Sequence, residues 1–525
     1  MRKRVLYSNK ARAKILDGVN KITDAVVTTL GPSGRNVLIA DSIVIDYAER
    51  NLPIHITKDG VTVAKSFEVD DRFESAGVTM AKECADKTVL QCGDGTTTSI
   101  LFFRAIVKKG VELIDGGANP MEIKKGIDKA VEYVVSELEK MAIPIKGDLE
   151  RIRQIATVSA NNDSEIGDWI AKAFEKIGDY GVIDLDASKG TKTEIKLVDG
   201  YKWNNGWISP YFITNTEKKT VEYNDPLILL YEKRITHHKQ IMTAVQIAQQ
   251  AGRPLLIICE DADEEGLAFL AKNNIAKTAI VCAVKSPAFG DERRTEMEDL
   301  AILTHATYIS STKGILIEKV TSKHFGNAKK VIVSKDETVI IGGDANTVEL
   351  ENLMNELRMN LAQAKNEDEK APIEKRIAKL TGSVAVIEVG AATETEMKEK
   401  LDRFDDAVRA TKAAIAEGFV PGGGTAFLNV PQKSDSIGWD IVMGIMEEPL
   451  RQICKNAGVN SDDILIDVNS RSDNFGYNAK TDVVEDLILA GIIDPVKVLR
   501  CALQNAASSA GMILTSEVLI VDFLN

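Results

Sequence analysis

No run of about 18 consecutive apolar residues occurs in the 525-residue chain, so the sequence offers no candidate membrane-spanning helix. Its apolar stretches, such as Leu227–Tyr231 and Leu255–Cys259, have the length of strands. Cysteine is scarce: six are spread along the chain, with no C-x-x-C spacing and no neighbouring histidine cluster. That speaks against a zinc ribbon, a thioredoxin-like redox site and a disulfide scaffold, and predicts core thiols in a reducing compartment. The five histidines are scattered, none in an H-E-x-x-H or Ser/His/Asp context. An excess of positive charge is missing too. With 65 Lys+Arg against 78 Asp+Glu the formal charge is −13, which argues against nucleic acid as the main partner, because counterion release needs clustered cations. The start, Met1-Arg-Lys-Arg-Val-Leu-Tyr, is basic but lacks the apolar segment of a secretory signal. The expectation is a cytoplasmic protein that does not engage a membrane.

What is present is the makeup of a large globular protein, 44% hydrophobic and 27% charged, with length for about two to four domains. The outer thirds read as helix. Ile15, Val19, Ile22, Val26 and Leu30 have helical spacing, with Ser8 as candidate N-cap and Gly31-Pro32 as stop. Further helices are predicted from Phe73 to Leu90, from Thr96 onward, and from Asn119-Pro120, where Asn caps and Pro takes the first turn. From about Gly200 strands and helices alternate: strands at Leu227–Tyr231, Leu255–Cys259, Thr278–Val284 and Thr307–Ser310, and helices at Ile235–Ala251, Glu264–Asn273 and Arg293–Thr304. Such alternation predicts an α/β domain with a largely parallel sheet. Glu349–Leu380 reads as a charged, solvated helix containing Asn366-Glu-Asp-Glu-Lys-Ala-Pro, Ser383–Val389 as a strand and Glu394–Glu417 as a helix. The fold expected is mainly helical, one helical domain built from both termini, carrying an α/β insert.

The most unusual stretch is Gly93-Asp94-Gly95-Thr96-Thr97-Thr98, between two predicted helices. Bare backbone N–H groups and three hydroxyls at a helix N-terminus make an anion site. Asp94 would repel a phosphate there unless a divalent cation lay between them, so the motif implies Mg²⁺-bound phosphate; the plain alternative is a turn followed by capping threonines. Thr28-Thr-Leu-Gly-Pro-Ser-Gly34, Ile56-Thr-Lys-Asp-Gly60 and Gly422-Gly-Gly424 supply further turns where backbone can approach a ligand. Neither G-x-x-x-x-G-K-[ST] nor a G-x-G-x-x-G after a strand occurs.

With these stretches in place the sequence resembles a group I chaperonin subunit. The similarity runs from about Val5 to Phe523 and includes Thr29-Leu-Gly-Pro, Thr57-Lys-Asp-Gly, Gly93-Asp-Gly-Thr-Thr-Thr, Asn119-Pro-Met, Ser159-Ala-Asn, Ser209-Pro-Tyr-Phe, Val389-Gly-Ala-Ala-Thr-Glu, Gly422-Gly-Gly, Phe475-Gly-Tyr-Asn-Ala and Ile493-Asp-Pro. The resemblance implies an equatorial ATP-binding domain at 1–141 and 417–525, an intermediate hinge domain at 142–198 and 385–416, and an apical substrate-binding domain at 199–384. It implies that Thr29, Gly31 and Pro32 contact ATP, that Asp94 ligates Mg²⁺, and that Gly95, Thr96, Thr97 and Thr98 hold the phosphates. Gly423, Asn478, Ala479 and Asp494 would line the adenosine, and Lys58 and Thr97 would lie near a K⁺ site. Asp406 would be the catalytic aspartate, assisted by Asp59 near the attacking water. Trp207, Tyr211, Phe212, Met242, Val245 and Leu267 would hold unfolded or partly folded polypeptides. The partner set implied is a homo-oligomeric ring of seven, single or double, with a co-chaperonin lid.

This chain departs from the family pattern in several places. Ala271 and Lys272 stand where two branched apolar residues are usual, Ser383 replaces a hinge glycine, and the Asp41–Pro53 segment is longer. In the family that segment pairs with a neighbouring subunit's terminal strands, here Lys3–Tyr7 and Leu519–Phe523. Two other functions remain open at this stage. A ring that holds clients with weakened or absent lid dependence is motivated by Lys272 and Ser383; a small-molecule kinase or ATPase would need a second-substrate base that the sequence does not offer.

Overall fold

The computed structural model describes residues 2–40, 42–45, 48–51, 55–145, 147–160, 162–178, 181–188, 190–216, 218–363, 373, 376–377, 379–380 and 382–523. The chain divides into two compact units, one of Met1–Glu175, Ala187–Lys192 and Val389–Asn525, the other of Lys176–Asp186 and Thr193–Glu388.

The larger unit is a helical body whose centre is the helix Val496–Leu514. Leu499, Leu503, Ala506, Ala510 and Ile513 recur on it at helical spacing and are buried. Around it pack Arg72–Cys92, Thr96–Asp115 and Pro120–Met141, and Ser8–Val26 packs on the first two of these. Phe102 meets Phe427 edge to face at 5.0 Å between ring centroids, joining the first part of the chain to the last. The ends of the chain also meet directly: Arg2–Tyr7 runs antiparallel to Val518–Phe523, with Tyr7 opposite Val518. One body is thus built from both ends, as the helical pattern predicts.

Local signals hold where capping chemistry is explicit. Asn119 accepts the Met121 N–H at 2.9 Å with Pro120 in the first turn. Ser8 is a correction: its hydroxyl bonds to the Glu517 carboxylate, Tyr7 takes the cap position, and no side chain caps that helix. There the hydroxyl donates to a charged acceptor, whereas a capping serine would accept a backbone N–H of the first turn. The hairpin Ser42–Ile45 with Ala48–Asn51 pairs on itself; the rest of the Asp41–Pro53 segment lies outside the described residues.

In the smaller unit, among the described residues, a ten-stranded sheet forms. Val281–Lys285, Leu255–Cys259 and Leu227–Tyr231 are parallel neighbours, and Tyr308–Ile309 also runs parallel to the last. The remainder corrects the expectation of a largely parallel sheet. Gly326–Val333, Thr338–Gly343, Glu194–Trp203 and Ser383–Val389 follow in antiparallel succession. Parallel strands need covering helices on both faces and read as continuous apolar runs, whereas the antiparallel ones carry polar residues on one face and are harder to see. Gly326–Val333 shows this: Gly326, Ala328, Val331 and Val333 are buried while Lys329 is exposed. Helices His238–Ala251, Glu264–Ile275 and Gly290–Thr304 cover the parallel half. The charged helix is described as Thr347–Gln363; the Asn366–Pro372 stretch lies outside the described residues.

Candidate functional site

The larger unit contains a cavity of about 910 Å³, within the size range of small-molecule sites. Three turns form its floor. The first follows the helix Ser8–Val26, which tightens through Val27–Thr29 before Gly31 and Pro32; Thr29 is buried and its hydroxyl is tied back to the Val26 carbonyl at 2.8 Å. The second carries Lys58 and Asp59. Asp59 caps the short helix Gly60–Ser66, accepting from the N–H groups of Val61 at 3.1 Å and Thr62 at 2.8 Å and from the Thr62 hydroxyl at 2.7 Å. Lys58 Nζ donates to the Pro32 carbonyl at 3.2 Å, and burial lowers its pKa.

The third turn is Gly93-Asp94-Gly95. Both glycines have positive φ, +78° and +85°, a region costly for any residue with a Cβ. That conformation lets the chain reverse between two long helices and leaves the N-terminus of Thr96–Asp115 without a side-chain cap. Its first N–H groups, with the hydroxyls of Thr96, Thr97 and Thr98, are free to receive an anion. Asp94 accepts the Gly95 N–H at 2.5 Å and a hydrogen bond from the Ser159 hydroxyl.

The opposite wall comes from the last third of the chain. Gly423 follows the strand Phe419–Pro421, which pairs antiparallel with Ile493–Pro495 so that Val420 faces Asp494. The hairpin Phe475–Asn478 with Val483–Asp486 presents Asn478 and Ala479. Asn478 is fixed by donating to Glu485 at 2.6 Å, and Ala479 accepts from the Ser33 hydroxyl at 3.4 Å. Pro449, Ile453 and Tyr477 give this wall an apolar surface. Asp406 enters from the helix Glu394–Glu417, and the helix Leu149–Ser159 adds Thr157 and Ser159.

All fifteen residues that the resemblance assigns to nucleotide, metal, K⁺ and water therefore line one cavity. Its electrostatics are unusual. Asp406 lines the cavity and is half-buried; desolvation first, then the charges of Asp59, Asp94 and Asp405, push its pKa well above the carboxylate range, opposed by Arg409. Burial and Asp59 raise Asp94. Asp494 is pushed up to about 7, mainly by burial and then by Asp94, against the Gly423 N–H that bonds its charged form. Among the described residues no group of three His, Cys, Asp or Glu side chains is close enough to cage a metal unaided. Mutually repelling acids beside an open helix N-terminus suit Mg²⁺ instead, which is typically held by one or two carboxylates together with substrate phosphates.

The sequence model of the TCP-1/cpn60 chaperonin family matches residues 22–523. The chain belongs to that family. Two solved structures share its fold, both of the chaperonin gp146 from the bacteriophage EL 2 (Pseudomonas aeruginosa) in the presence of ATP-BeFx. One crystal form is 22% identical with a TM-score of 0.66 and the other 21% identical with a TM-score of 0.61, each match covering 99% of both chains. As a chaperonin the chain is an ATP-binding protein-folding ATPase, of a family that binds substrate proteins and assembles into rings.

The smaller unit holds the residues assigned to those substrates, and it separates them. Tyr211 is 65% and Met242 41% exposed. Trp207 and Leu267 are half-buried against the core. Phe212 and Val245 are buried, 1% and 4% exposed, and pack within the sheet-and-helix core. The resemblance put Met242 and Val245 into one set, yet the three-residue step along the helix leaves Val245 facing the core. On the neighbouring helix Ala271 is buried, whereas Lys272 and Ile275 are exposed. Ser159 is a site residue that motif reading named only as part of Ser159-Ala-Asn; its bond to Asp94 is tertiary and has no sequence signal.

Proposed function

We propose that this chaperonin couples ATP hydrolysis in the cavity of its larger unit to capture and release of non-native proteins by its smaller one. One observation carries the reading: Asp59, Asp94 and Asp406, borne on three separate segments, converge beside the uncapped N-terminus of Thr96–Asp115. The N–H groups of that helix and the Thr96, Thr97 and Thr98 hydroxyls bind the phosphates; Thr29, Gly31 and Pro32 hold them from the opposite turn. Gly423, Asn478, Ala479 and Asp494 take the adenosine, against the apolar side chains of the same wall. Asp94 would hold Mg²⁺, which when bound neutralises phosphate charge and lowers the cost of gathering these acids. Asp406 orients the attacking water with help from Asp59 and accepts its proton, a role suited to a carboxylate whose proton affinity is raised. For K⁺, Thr97 offers a hydroxyl lone pair, whereas the Lys58 side chain, itself a cation, supplies no ligand atom.

The catalytic acid and the phosphate turn belong to segments far apart in sequence, so their approach can gate hydrolysis. The division of the chain into an equatorial part at 1–141 and 417–525, a hinge part at 142–198 and 385–416 and an apical part at 199–384 belongs to this proposal and is supported by the Pro144, Gly200, Gly382 and Gly418 punctuation. Tyr211 and Met242, with Trp207 and Leu267 at the edge, form the capture surface, because exposed apolar groups bind unfolded chains without directional demands. A seven-membered ring and a co-chaperonin lid rest on the group I resemblance, and a cytoplasmic location on the six buried, free cysteines. The test is steady-state ATP turnover and nucleotide affinity of Asp406→Ala: turnover falls about 10²-fold or more while affinity stays. Normal turnover would remove Asp406 from its role.

A further inference from the structure

Arg409 enters the site so far only as a positive charge that opposes the rise in the Asp406 pKa. It lies on the helix Glu394–Glu417 three residues past Asp406, on nearly the same face. The cavity wall includes Asp402, Arg403 and Asp406 but not Arg409. Its Nη2 is 2.8 Å from Asp405 Oδ2, one turn back on the same helix, and its side chain is 28% exposed. The stem goes elsewhere, onto the backbone of the phosphate turn. A Cβ placed on Gly93 would fall 2.2 Å from Arg409 Cβ, 2.4 Å from Cδ and 2.8 Å from Cγ. Three carbons of Arg409 therefore occupy the space a side chain at position 93 would need, and Gly93 directly precedes Asp94.

We propose that Arg409 is a positioning residue for hydrolysis: its stem, laid over Gly93 and steadied by Asp405, seats the helix bearing Asp406 against the turn bearing Asp94. The proposal rests on Asp406 acting on the attacking water. An aliphatic stem against a bare Cα is a close, well-packed contact. Losing it opens a gap between two elements that each carry one acid of the site, and misplacement by about 1 Å costs about 10²-fold in rate. Nucleotide affinity is spared, since Arg409 does not line the cavity.

The full-length chain is made as Arg409→Ala, Arg409→Lys, Asp405→Asn, Asp406→Ala and the double variant Arg409→Ala/Asp406→Ala. ATP turnover, MgADP affinity by calorimetry and the unfolding temperature are measured for each. Arg409→Ala is expected to lower kcat about 10- to 100-fold with affinity and unfolding temperature unchanged. Arg409→Lys, which keeps a stem, recovers most of that loss. Asp405→Asn, which leaves the stem unsteadied, costs a few-fold, and it carries the test should Arg409→Ala fail to fold. In the Asp406→Ala background Arg409→Ala adds nothing, because the two act as a unit. The proposal is overturned by wild-type kcat in Arg409→Ala or Asp405→Asn, by a parallel loss of affinity and stability, by failure of Lys to rescue, or by additivity in the double variant. A normal kcat in Asp406→Ala overturns the reading of the site and this proposal with it. An inactive Asp406→Ala beside a fully active Arg409→Ala removes the role of Arg409 alone.

Discussion

The cavity of the larger unit and the apolar surface of the smaller one would, in the function proposed, bind by opposite physics. The cavity gathers carboxylates whose protons are hard to remove, fixes them with backbone N–H donors and capping hydroxyls, and awaits one charged ligand of definite shape. The surface of the smaller unit leaves Tyr211 and Met242 exposed to water. A site for one ligand is expensive in electrostatics and sharp in geometry; a site for any unfolded chain needs only unburied apolar area. Changes should therefore be severe and specific in the first region, graded in the second.

Asp406→Ala should show the largest effect, about 10²-fold or more in turnover at unchanged nucleotide affinity, read by steady-state kinetics and calorimetry. A proportional loss of both would blur the contrast by making the acid a binding group. Next, Phe212→Ala should destabilise the protein by about 3–5 kcal/mol in denaturant unfolding, because it empties a core position. Tyr211→Ser should leave stability nearly unchanged and weaken capture of a denatured client several-fold. If the two behaved alike, the division into core and surface aromatics would fail.

A smaller effect comes from proton linkage. The folded pKa of Asp494, about 7, stands above its unfolded value of 3.8, so between those values the folded state binds more protons than the unfolded one. Its contribution to stability is full below pH 3.8 and is lost as pH rises through 7. In nucleotide-free, metal-chelated protein, Asp494→Asn should flatten the fall in unfolding temperature between pH 4 and 7. An unchanged profile would mean that Asp494 is better solvated than its surroundings indicate. Smallest of all, Lys272→Val should raise client capture by a few-fold, since it extends the apolar strip toward the exposed Ile275; unchanged capture would place Lys272 outside the working surface.

The two regions also differed in how far the sequence disclosed them. Gly93-Asp94-Gly95, Thr29-Leu-Gly-Pro and Gly422-Gly-Gly424 announce backbone conformations that few residue types can adopt, so their motifs point to one cavity. The helices with explicit caps, such as Pro120–Met141, were equally legible. What could not be read was set by tertiary contact: Ser159 reaching Asp94, the Arg409 stem on Gly93, and Ser8 drawn to Glu517 from across the chain. On the proposed client surface, the resemblance supplied apolar positions but not their direction, because Phe212 and Val245 look the same in sequence as Tyr211 and Met242. The antiparallel strands were hidden for the related reason that half of their residues face water.

The central claim, that these acids gather around a metal-bridged nucleotide phosphate, is tested most directly by calorimetric titration of ADP in the presence and absence of Mg²⁺. Wild-type protein and Asp94→Ala would be compared side by side. The account predicts binding at least about 10-fold tighter with Mg²⁺ in the wild type, and loss of that difference in Asp94→Ala. Identical wild-type affinities with the metal present and chelated would contradict it.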